Sequence, residues 1–337
     1  MMDAQTLRAW AQALGFAKAA LCPAAAFEQA KQIVSRQAPL AERRQLRFEP
    51  EMDDSRIKSL AVLLWPYAPA YLTQGEALFV DSYYTASNLA YHAAKRLEER
   101  LTAAGGFARA NVSYPAKEAA VRAGLGRIGK NSLLITPEFG TRVVIILLAT
   151  DIACDPIEKE TCEEGMGCLG CGRCAAACPS GAMDEQGLTH PERCLRNFMM
   201  EGNVTPEPLR KKMGMRLLGC DICQRVCPMQ PEPVQTAPIA IRLDELVTAD
   251  AATFSETVSR LGTLIGRNAA RPQRVRALAA LLAGNSGNAA YLPVLREWAQ
   301  SPFEAVRVHA QWALKRLEAA KNCASSPSGV DPEGKRD

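Results

Sequence analysis

The sequence contains no hydrophobic run long enough to cross a membrane. Its longest apolar stretch, VVIILLA at 143–149, is far shorter than the roughly 20 residues that a helical span requires. The N-terminus, MMDAQTLRAW, has an acid where a secretion signal has a basic region, and no uninterrupted apolar core follows it. These absences predict a cytoplasmic protein that has no membrane partner.

The chain also lacks a large excess of charge. Its formal net charge is +4, which is too small to identify a partner by itself. The cations are unevenly distributed, however, because the stretch 260–276 contains arginines and no acid. A polyanionic partner is one interpretation of this stretch, and a solvated helix face is the simpler alternative. The arginines are Arg260, Arg267, Arg271, Arg274 and Arg276.

Changes in pattern divide the chain into three predicted domains. The length of 337 residues is about twice that of a typical domain. Residues 1–150 alternate helical and strand signals, with a buried strand at 59–67 and an amphipathic helix at 88–106. This alternation predicts an α/β domain. Residues 151–230 contain most of the cysteines and few signals of regular structure.

The last third of the chain is alanine-rich and helical. Two similar blocks, at 271–285 and 303–317, predict stacked helical repeats of the HEAT kind over residues 239–322. A proline-rich stretch at 228–238 predicts a linker before this domain. Residues 323–337 are predicted to be a disordered tail.

The stretch CLGCGRCAAACP, from Cys168 to Pro179, is the most specific pattern in the chain. Cytosolic thiols stay reduced, so cysteines at fixed short spacing there are more often metal ligands than disulfide partners. Steps of two, two and three residues closed by proline are typical of [4Fe–4S] binding. The fourth cysteine of such a run turns away to a second cluster, so a second run should exist.

The second run is GCDICQRVCP, and Cys194 lies between the two runs. In two-cluster ferredoxins the last cysteine of a run binds the cluster of the other run, which we call the crossing rule. The two runs together therefore predict two [4Fe–4S] sites. Zinc is the alternative ligand for paired Cys-x-x-Cys steps, but the closing Cys-Pro favours iron–sulfur. The first predicted set is Cys168, Cys171, Cys174 and Cys227, and the second is Cys178, Cys194, Cys220 and Cys223.

Three stretches together resemble the cobalamin-dependent epoxyqueuosine reductases, which are relatives of the reductive dehalogenases. They are RAGLGRIGKNSLLITPEFG at 122–140, the two cysteine runs, and RVHAQWAL at 307–314. The resemblance extends from about 58 to 318. It implies an α+β/α/β fold class: an α/β domain of the cobalamin-binding type, a ferredoxin-like double [4Fe–4S] domain and HEAT-like helical repeats.

The resemblance also implies a reaction. The family reduces an epoxide on a modified tRNA base to an alkene, using cobalamin that the clusters supply with electrons. It therefore implies tRNA as a partner, held in part by the helical repeats and their arginines. It further implies a low-potential electron donor such as flavodoxin or ferredoxin.

Two segments are predicted to contact the cofactor. In the loop GLGRIGKN at 124–131, three glycines permit close approach of a flat or anionic ligand, and Lys130 could meet a carboxamide or phosphate. A tight strand connection is the alternative. In the stretch SYYTASNLAYH, Tyr91 and His92 match the family, whereas Ala90 replaces an expected acid. The predicted cofactor contacts are Tyr91, His92, Gly124, Gly126, Gly129, Lys130 and Asn131.

The sequence lacks the aspartate that the resemblance leads us to expect before the glycine loop. The stretch ARANVSYPAKEAAVRAGLG offers Tyr114, Lys117 and Glu118 instead. We therefore predict Tyr114 and Glu118 as catalytic residues, with Lys117 lowering the pKa of the phenol. The alternative is that Tyr114 shapes a turn and Glu118 starts a helix.

Two other functions remain open. One is a related reductase of a small molecule, and the other is a non-catalytic two-cluster protein for electron transfer or sensing. RNA binding predicts that the arginines form one continuous basic face, which a small-molecule substrate does not require. A carrier or sensor predicts no cavity of corrinoid size in the N-terminal domain.

Overall fold

The computed structural model describes residues 2–35, 46–69, 77–154, 167–184, 189–231 and 239–325. Most of the predicted linker at 228–238 and of the predicted tail at 323–337 lies outside these ranges. None of the described helices is both long enough and apolar enough to span a membrane.

A four-stranded sheet forms the centre of the N-terminal region. Its order is β1 (Lys18–Pro23), β2 (Ser59–Pro66), β7 (Val143–Thr150) and β4 (Ala108–Ala110). All three neighbouring pairs are antiparallel. The region is therefore a mixed arrangement of helices and an antiparallel sheet. The predicted buried strand at 59–67 is confirmed as β2.

The apolar runs of β2 and β7 exist because both faces of the sheet are covered. Along β2, Ala61 and Leu63 face one core while Leu60, Val62 and Leu64 face the other. A strand buried on both faces reads as a continuous apolar run, because side chains alternate between faces. The same run suits a parallel or an antiparallel strand, so the sequence did not predict the strand directions.

Two helices cover the first face. Helix α1 (Ala4–Ala13) buries Leu7 and Ala11, and helix α4 (Ser82–Ala103) buries a stripe of alanines and leucines. The α4 helix begins six residues before its predicted start at 88. The reason is a cap, since the Asp81 side chain accepts a hydrogen bond of 3.0 Å from the Tyr83 N–H.

The remaining helices and strands are short apart from three in the C-terminal region. Those three are α11 (Ala251–Ile265), α12 (Pro272–Ser286) and α14 (Glu304–Ser325). The others, in chain order, are α2 Glu28–Ser35, α3 Pro50–Asp53, β3 Phe79–Val80, α5 Ala116–Arg122, β5 Arg127–Ile128, β6 Leu134–Ile135, α6 Arg173–Ala177, α7 Leu195–Glu201, α8 Glu207–Arg210, β8 Arg216–Leu218, α9 Ile222–Arg225, α10 Asp244–Val247 and α13 Leu292–Trp298.

One core joins the cysteine-containing region to the C-terminal helices. Met199 and Met213 from the former pack in the same apolar cluster as Leu278 and Leu317 from the latter. The two predicted helical blocks are confirmed as α12 and α14, which pack against each other. Their approach is close, because a Cβ on Gly284 would lie 2.8 Å from the Trp312 ring. The domain boundaries at 150, 230 and 239 remain predictions.

Candidate iron–sulfur site

The first predicted cysteine set surrounds a single pocket. Cys168 and Cys171 lie on the loop that leads into α6, Cys174 lies in the first turn of α6, and Cys227 follows α9. All four line one pocket with about 350 Å³ of empty space, including the solvent at its mouth. Cys168 and Cys171 are exposed. The structure thus brings together the set that the crossing rule predicts.

The four thiols are not grouped tightly enough to hold one metal ion. A zinc ion would draw four sulfurs to about 2.3 Å from one point. In the described ranges, no three His, Cys, Asp or Glu side chains are grouped closely enough to hold a single metal ion. The four thiols of the first set are instead arranged around a space.

The wall of this pocket includes the glycine–lysine loop. Lys130 and Asn131 line it together with Ile135 and Met229. The Lys130 backbone N–H donates a hydrogen bond of 3.4 Å to the Cys168 Sγ. This bond ties the loop to a cysteine of the first set. The loop therefore supports the first cysteine set.

The second predicted set is held by short helices. Cys178 ends α6, Cys194 caps α7, and Cys220 and Cys223 lie just before and within α9. Because α6 packs against α9, the last cysteine of the first run approaches the second run.

The electrostatics of the second set reflect burial and mutual proximity. Burial raises the pKa of Cys223, and the neighbouring thiols of Cys220, Cys194 and Cys178 raise it further. Burial likewise raises the pKa of Cys220 to about 11. Buried thiolates this close together need a positive partner, and a bound metal cluster supplies one.

Cys178 behaves differently from its neighbours. Burial opposes ionisation, but hydrogen bonds from Ser180 and from the Ala182 N–H at 3.3 Å outweigh it and lower the pKa of Cys178. The hydrogen bonds of the turn that contains Cys178 therefore favour its thiolate form.

The glycines at 126 and 129 serve the loop itself. A Cβ on Gly126, whose φ is +157°, would lie 2.2 Å from the Ile135 carbonyl oxygen, and one on Gly129 would lie 2.7 Å from the Ile135 side chain. Both glycines therefore permit the tight pairing of β5 with β6. This supports the alternative of a tight strand connection, and the contact of these glycines with a ligand stays a prediction.

Two other loop residues also have local roles. Gly124 follows α5 with a φ of +71°, and its N–H donates to the Val121 carbonyl. Asn131 is buried, and its side-chain oxygen accepts a hydrogen bond of 3.2 Å from the Leu133 N–H.

Tyr91 and His92 lie on the outer surface of α4. Tyr91 is 45% exposed, and its ring meets the His92 ring edge-on at 5.3 Å. Ala90 points inward and is fully buried. The role of Tyr91 and His92 as cofactor contacts stays a prediction.

The predicted role of Lys117 beside Tyr114 is wrong. The Lys117 amine donates to the Ser132 carbonyl instead. Tyr114 is 4% exposed, and its hydroxyl donates a hydrogen bond of 2.7 Å to Asp53. Burial, followed by this bond to a carboxylate, raises the pKa of Tyr114. The phenol is therefore held in its protonated form.

Glu118 is engaged in holding two helices together. One carboxylate oxygen accepts from the Ala30 N–H at 2.9 Å, and the other from Arg122 at 2.6 Å. Arg122 also donates to the carbonyls of Ala25 and Ala26. Glu118 lies in the first turn of α5, as the structural alternative expects.

The arginines of 260–276 differ in their surroundings. Arg260 pairs with Glu245 at 2.6 Å. Arg276 packs over the Phe254 ring at 4.5 Å, and Arg274 is partly buried. Arg267 and Arg271 are exposed.

Gln224 is a structural anchor that the sequence reasoning missed. It lies between Cys223 and Cys227 and is buried. Its amide donates to the Thr141 carbonyl at 2.8 Å and to the Tyr67 hydroxyl at 3.0 Å. These bonds fix the second cysteine run to the ends of β2 and β7. Only its position inside the run could have drawn attention to it.

Comparisons with known proteins agree with this geometry. Residues 167–230 match the family described as "4Fe-4S double cluster binding domain". The epoxyqueuosine reductase of Lactococcus garvieae is 32% identical over 212 residues, covering 59% of this chain and 57% of that protein. The Bacillus subtilis enzyme of the same name is 31% identical over 212 residues, covering 59% and 52%. The resemblance to the epoxyqueuosine reductases is confirmed.

The fold agrees with those enzymes over almost the whole chain. A crystal structure of epoxyqueuosine reductase with an epoxyqueuosine-modified tRNA stem loop superposes with a TM-score of 0.75 at 21% identity, covering 96% of this chain and 94% of that one. By sequence, this chain spans a little over half the length of the epoxyqueuosine reductases that it matches. The comparison thus supports a shared fold and a double cluster domain.

Proposed function

We propose that this protein is an iron–sulfur reductase that converts epoxyqueuosine in tRNA to queuosine. The observation that carries the proposal is the crossed gathering of eight cysteines in a chain similar to epoxyqueuosine reductases. The reaction consumes two electrons and two protons, gives an alkene, and releases the epoxide oxygen as water. We propose that the tRNA and a low-potential donor such as flavodoxin or ferredoxin meet the protein in the cytoplasm.

The proposed ligand sets follow the gathered thiols. Cys168, Cys171, Cys174 and Cys227 would hold one [4Fe–4S] cluster. The other four cysteines would hold the second, whose thiols are the more deeply buried. When bound to these cysteines, the clusters would supply one-electron redox chemistry for the reduction.

Cobalamin is proposed on the resemblance alone. When bound, it would supply the chemistry of low-valent cobalt for the reduction. Tyr91 and His92, which are exposed on α4, remain its proposed contacts.

The helical region is proposed to hold the RNA backbone. Arg267 and Arg271 are the exposed cations of the 260–276 stretch, and phosphate contacts of this kind contribute affinity that falls as salt rises. A HEAT-like repeat is the proposed description of this region. Glu118 is proposed to act indirectly, by fixing α5 and the loop before it.

The test uses anaerobically purified protein with reconstituted clusters, with and without hydroxocobalamin. Iron, sulfide and cobalt are counted, and a tRNA stem loop carrying epoxyqueuosine is incubated with the dithionite-reduced protein. We expect about eight irons per chain and an RNA product that has lost one oxygen by mass spectrometry. Intact clusters without any loss of oxygen would reject the proposed reaction.

A related reductase of a small molecule is the second candidate. It is favoured by the partners of two of the arginines, because Arg260 pairs with Glu245 and Arg276 packs over the Phe254 ring, so that both are engaged within the protein. The free epoxyqueuosine nucleoside is the probe. Turnover of the nucleoside at a rate equal to that of the RNA would favour this candidate.

A further inference from the structure

An arginine lies close to the second cysteine set. Cys194 is the N-cap of α7, and Arg196 lies in the first turn of that helix. The Arg196 guanidinium lies over two aromatic rings at the start of α4, 4.7 Å from the centre of the Tyr83 ring and 5.5 Å from that of Tyr84. A ring face attracts a cation and shields it from water. Arg196 is accordingly half-buried.

The Tyr84 ring also joins this cation to the second cysteine run. A Cβ added to Gly219, the residue before Cys220, would lie 2.9 Å from the Tyr84 ring. The ring therefore packs against the backbone that leads into Cys220. Arg196 is thus connected to two of the four thiols, to Cys194 through the first turn of α7 and to Cys220 through one aromatic ring.

The acids of this region have other partners. Asp221 pairs with Arg225 at 2.7 Å, and the Asp81 side chain accepts a hydrogen bond of 3.0 Å from the Tyr83 N–H. Within the described ranges, Arg196 forms no salt bridge with a carboxylate. Its positive charge is therefore not cancelled by a direct ion pair.

The electrostatics of Arg196 include the Cys194 thiol. Burial opposes the charged form of Arg196, but the two tyrosines, Asp81 and Cys194 outweigh burial and raise its pKa. A guanidinium is in any case not deprotonated in proteins. Arg196 is thus a permanent positive charge beside a set of thiols that burial makes difficult to ionise.

A fixed positive charge here has a consequence for electron transfer. When four thiolates hold a [4Fe–4S] cluster, an added electron makes the site more negative. A nearby cation stabilises added negative charge, and it does so more strongly in a protein interior than in water. Net charge and solvent exposure are among the features that set the reduction potential of such clusters. A cation therefore raises the potential of a buried cluster, whereas burial lowers it.

We propose that Arg196 is a positioning residue whose charge raises the reduction potential of a cluster bound by the second cysteine set. With this charge, the buried set accepts an electron from the same low-potential donor as the more exposed first set. The step is the transfer of one electron from the reduced donor to the oxidised cluster, and no bond forms or breaks. The inference rests on the proposed function for its ligand set, but not for its substrate.

The test compares reduction potentials of wild type, Arg196→Gln and Arg193→Gln, each as the full chain with reconstituted clusters. Arg193 is the matched control, because it lies one residue before Cys194 but its side chain is 60% exposed, where water screens its charge. Reduction is followed by electron paramagnetic resonance in a dithionite titration with redox mediators. Cys171→Ser, which should retain only the second cluster, identifies the signal of that cluster.

The expected shift is confined to one cluster and one variant. At the potential that half-reduces the second cluster of wild type, the ratio of reduced to oxidised cluster should fall about tenfold in Arg196→Gln, which is about 59 mV for a one-electron couple. The first cluster of Arg196→Gln should change by less than about twofold, and so should both clusters of Arg193→Gln.

Arg196→Lys separates the charge of this residue from its shape. It keeps the positive charge, so its second cluster should stay closer to wild type than that of Arg196→Gln. If Arg196→Gln loses the iron of the second cluster, retention of that iron by Arg196→Lys supports the inference. Equal iron loss from both variants overturns it, because the shape of the guanidinium would then matter and its charge would not.

Failure of this inference is distinguishable from failure of the proposed function. If the second cluster of Arg196→Gln keeps the wild-type potential, the inference is overturned and the proposed function stands. Equal shifts in Arg196→Gln and Arg193→Gln overturn it too, because an exposed charge would then be equivalent. A wild type that shows the expected shift but leaves the epoxide intact rejects the proposed reaction and supports the role of Arg196.

Discussion

Cys22 and Cys171 are both thiols, but their surroundings give them different chemistry. Cys22 is fully buried in β1, where burial raises its pKa to about 12 and its thiol donates to the Pro23 carbonyl. Cys171 is exposed and lines the pocket of the first set. The first is a packing residue and the second is available to a cluster.

The matched substitutions Cys171→Ser and Cys22→Ala test this difference. We expect Cys171→Ser to lose one cluster, so that iron falls from about eight to about four per chain. Cys22→Ala should keep its iron and lose only some packing. Iron and sulfide analysis with visible spectra measures both. An unchanged iron content in Cys171→Ser would contradict the ligand assignment.

At the residue scale, local chemistry was predictable and long-range pairing was not. The cysteine sets can be predicted from spacing, because a tight loop around a cluster takes its ligands from residues that are close together in sequence. The Tyr114 to Asp53 bond joins residues 61 positions apart, and nothing around either residue signals the other. The sequence suggests Lys117 as the partner only because it is near Tyr114 along the chain.

At the scale of elements, Gly126 shows how a hairpin is tied to the site. A Cβ added at this position would clash with the Ile135 carbonyl. The loop in which Gly126 lies also contains Lys130, whose backbone N–H donates a hydrogen bond to the Cys168 Sγ. The sequence predicted a loop between a helix and strands. It did not decide whether the glycines allow a ligand or a neighbouring strand to approach the backbone, because either approach needs a residue without a Cβ.

Gly126→Ala should therefore disturb both the fold and the first cluster. Gly105→Ala is the matched control, because Gly105 also has a positive φ of +84° but has no atom within 4 Å of the added Cβ. We expect the control substitution to lower the free energy of unfolding by about 1 kcal/mol and the protein to keep its clusters. Gly126→Ala should lower the free energy of unfolding by more than this and should reduce the iron content. Urea unfolding and iron analysis measure the two effects. Equal costs would contradict the steric argument.

His309 connects two helices to the cysteine-containing region. Its Nε2 accepts from the Thr205 N–H and its Nδ1–H donates to the Ala277 carbonyl, both at 2.9 Å. Burial lowers the pKa of His309 to about 4, although the bond to Ala277 opposes this shift. The ring is therefore neutral in the folded protein, and its Nε2 is free to accept.

The sign of the resulting pH dependence follows from linkage. The unfolded chain protonates this histidine near pH 6.5 and the folded one only near pH 4. Stability is therefore lost as the pH falls from 6.5 to 4, by about 3 kcal/mol. In urea unfolding at several pH values, His309→Gln should lose less over this window than wild type or the exposed control His92→Gln. Three parallel curves would contradict this role.

At the scale of the whole molecule, the core that joins the cysteine-containing region to the C-terminal helices makes the cluster sites depend on those helices. Met199, Met213 and Leu218 from the cysteine-containing region are almost completely buried against that side. The sequence predicted separate domains because the cysteine-rich stretch lacks regular structure. It could not predict a shared core, since apolar residues scattered among short elements have no period that identifies their partners.

A chain that ends at residue 231 should therefore fail to hold its clusters. Exposing a large apolar side chain costs about 1.5–3 kcal/mol, so exposing several approaches the whole stability of a domain, about 5–15 kcal/mol. We expect the shortened protein to aggregate and to contain little iron, measured by gel filtration and iron analysis, whereas a chain ending at residue 325 should match the full chain. A monomer of residues 1–231 with about eight irons would show that the C-terminal helices serve only the substrate.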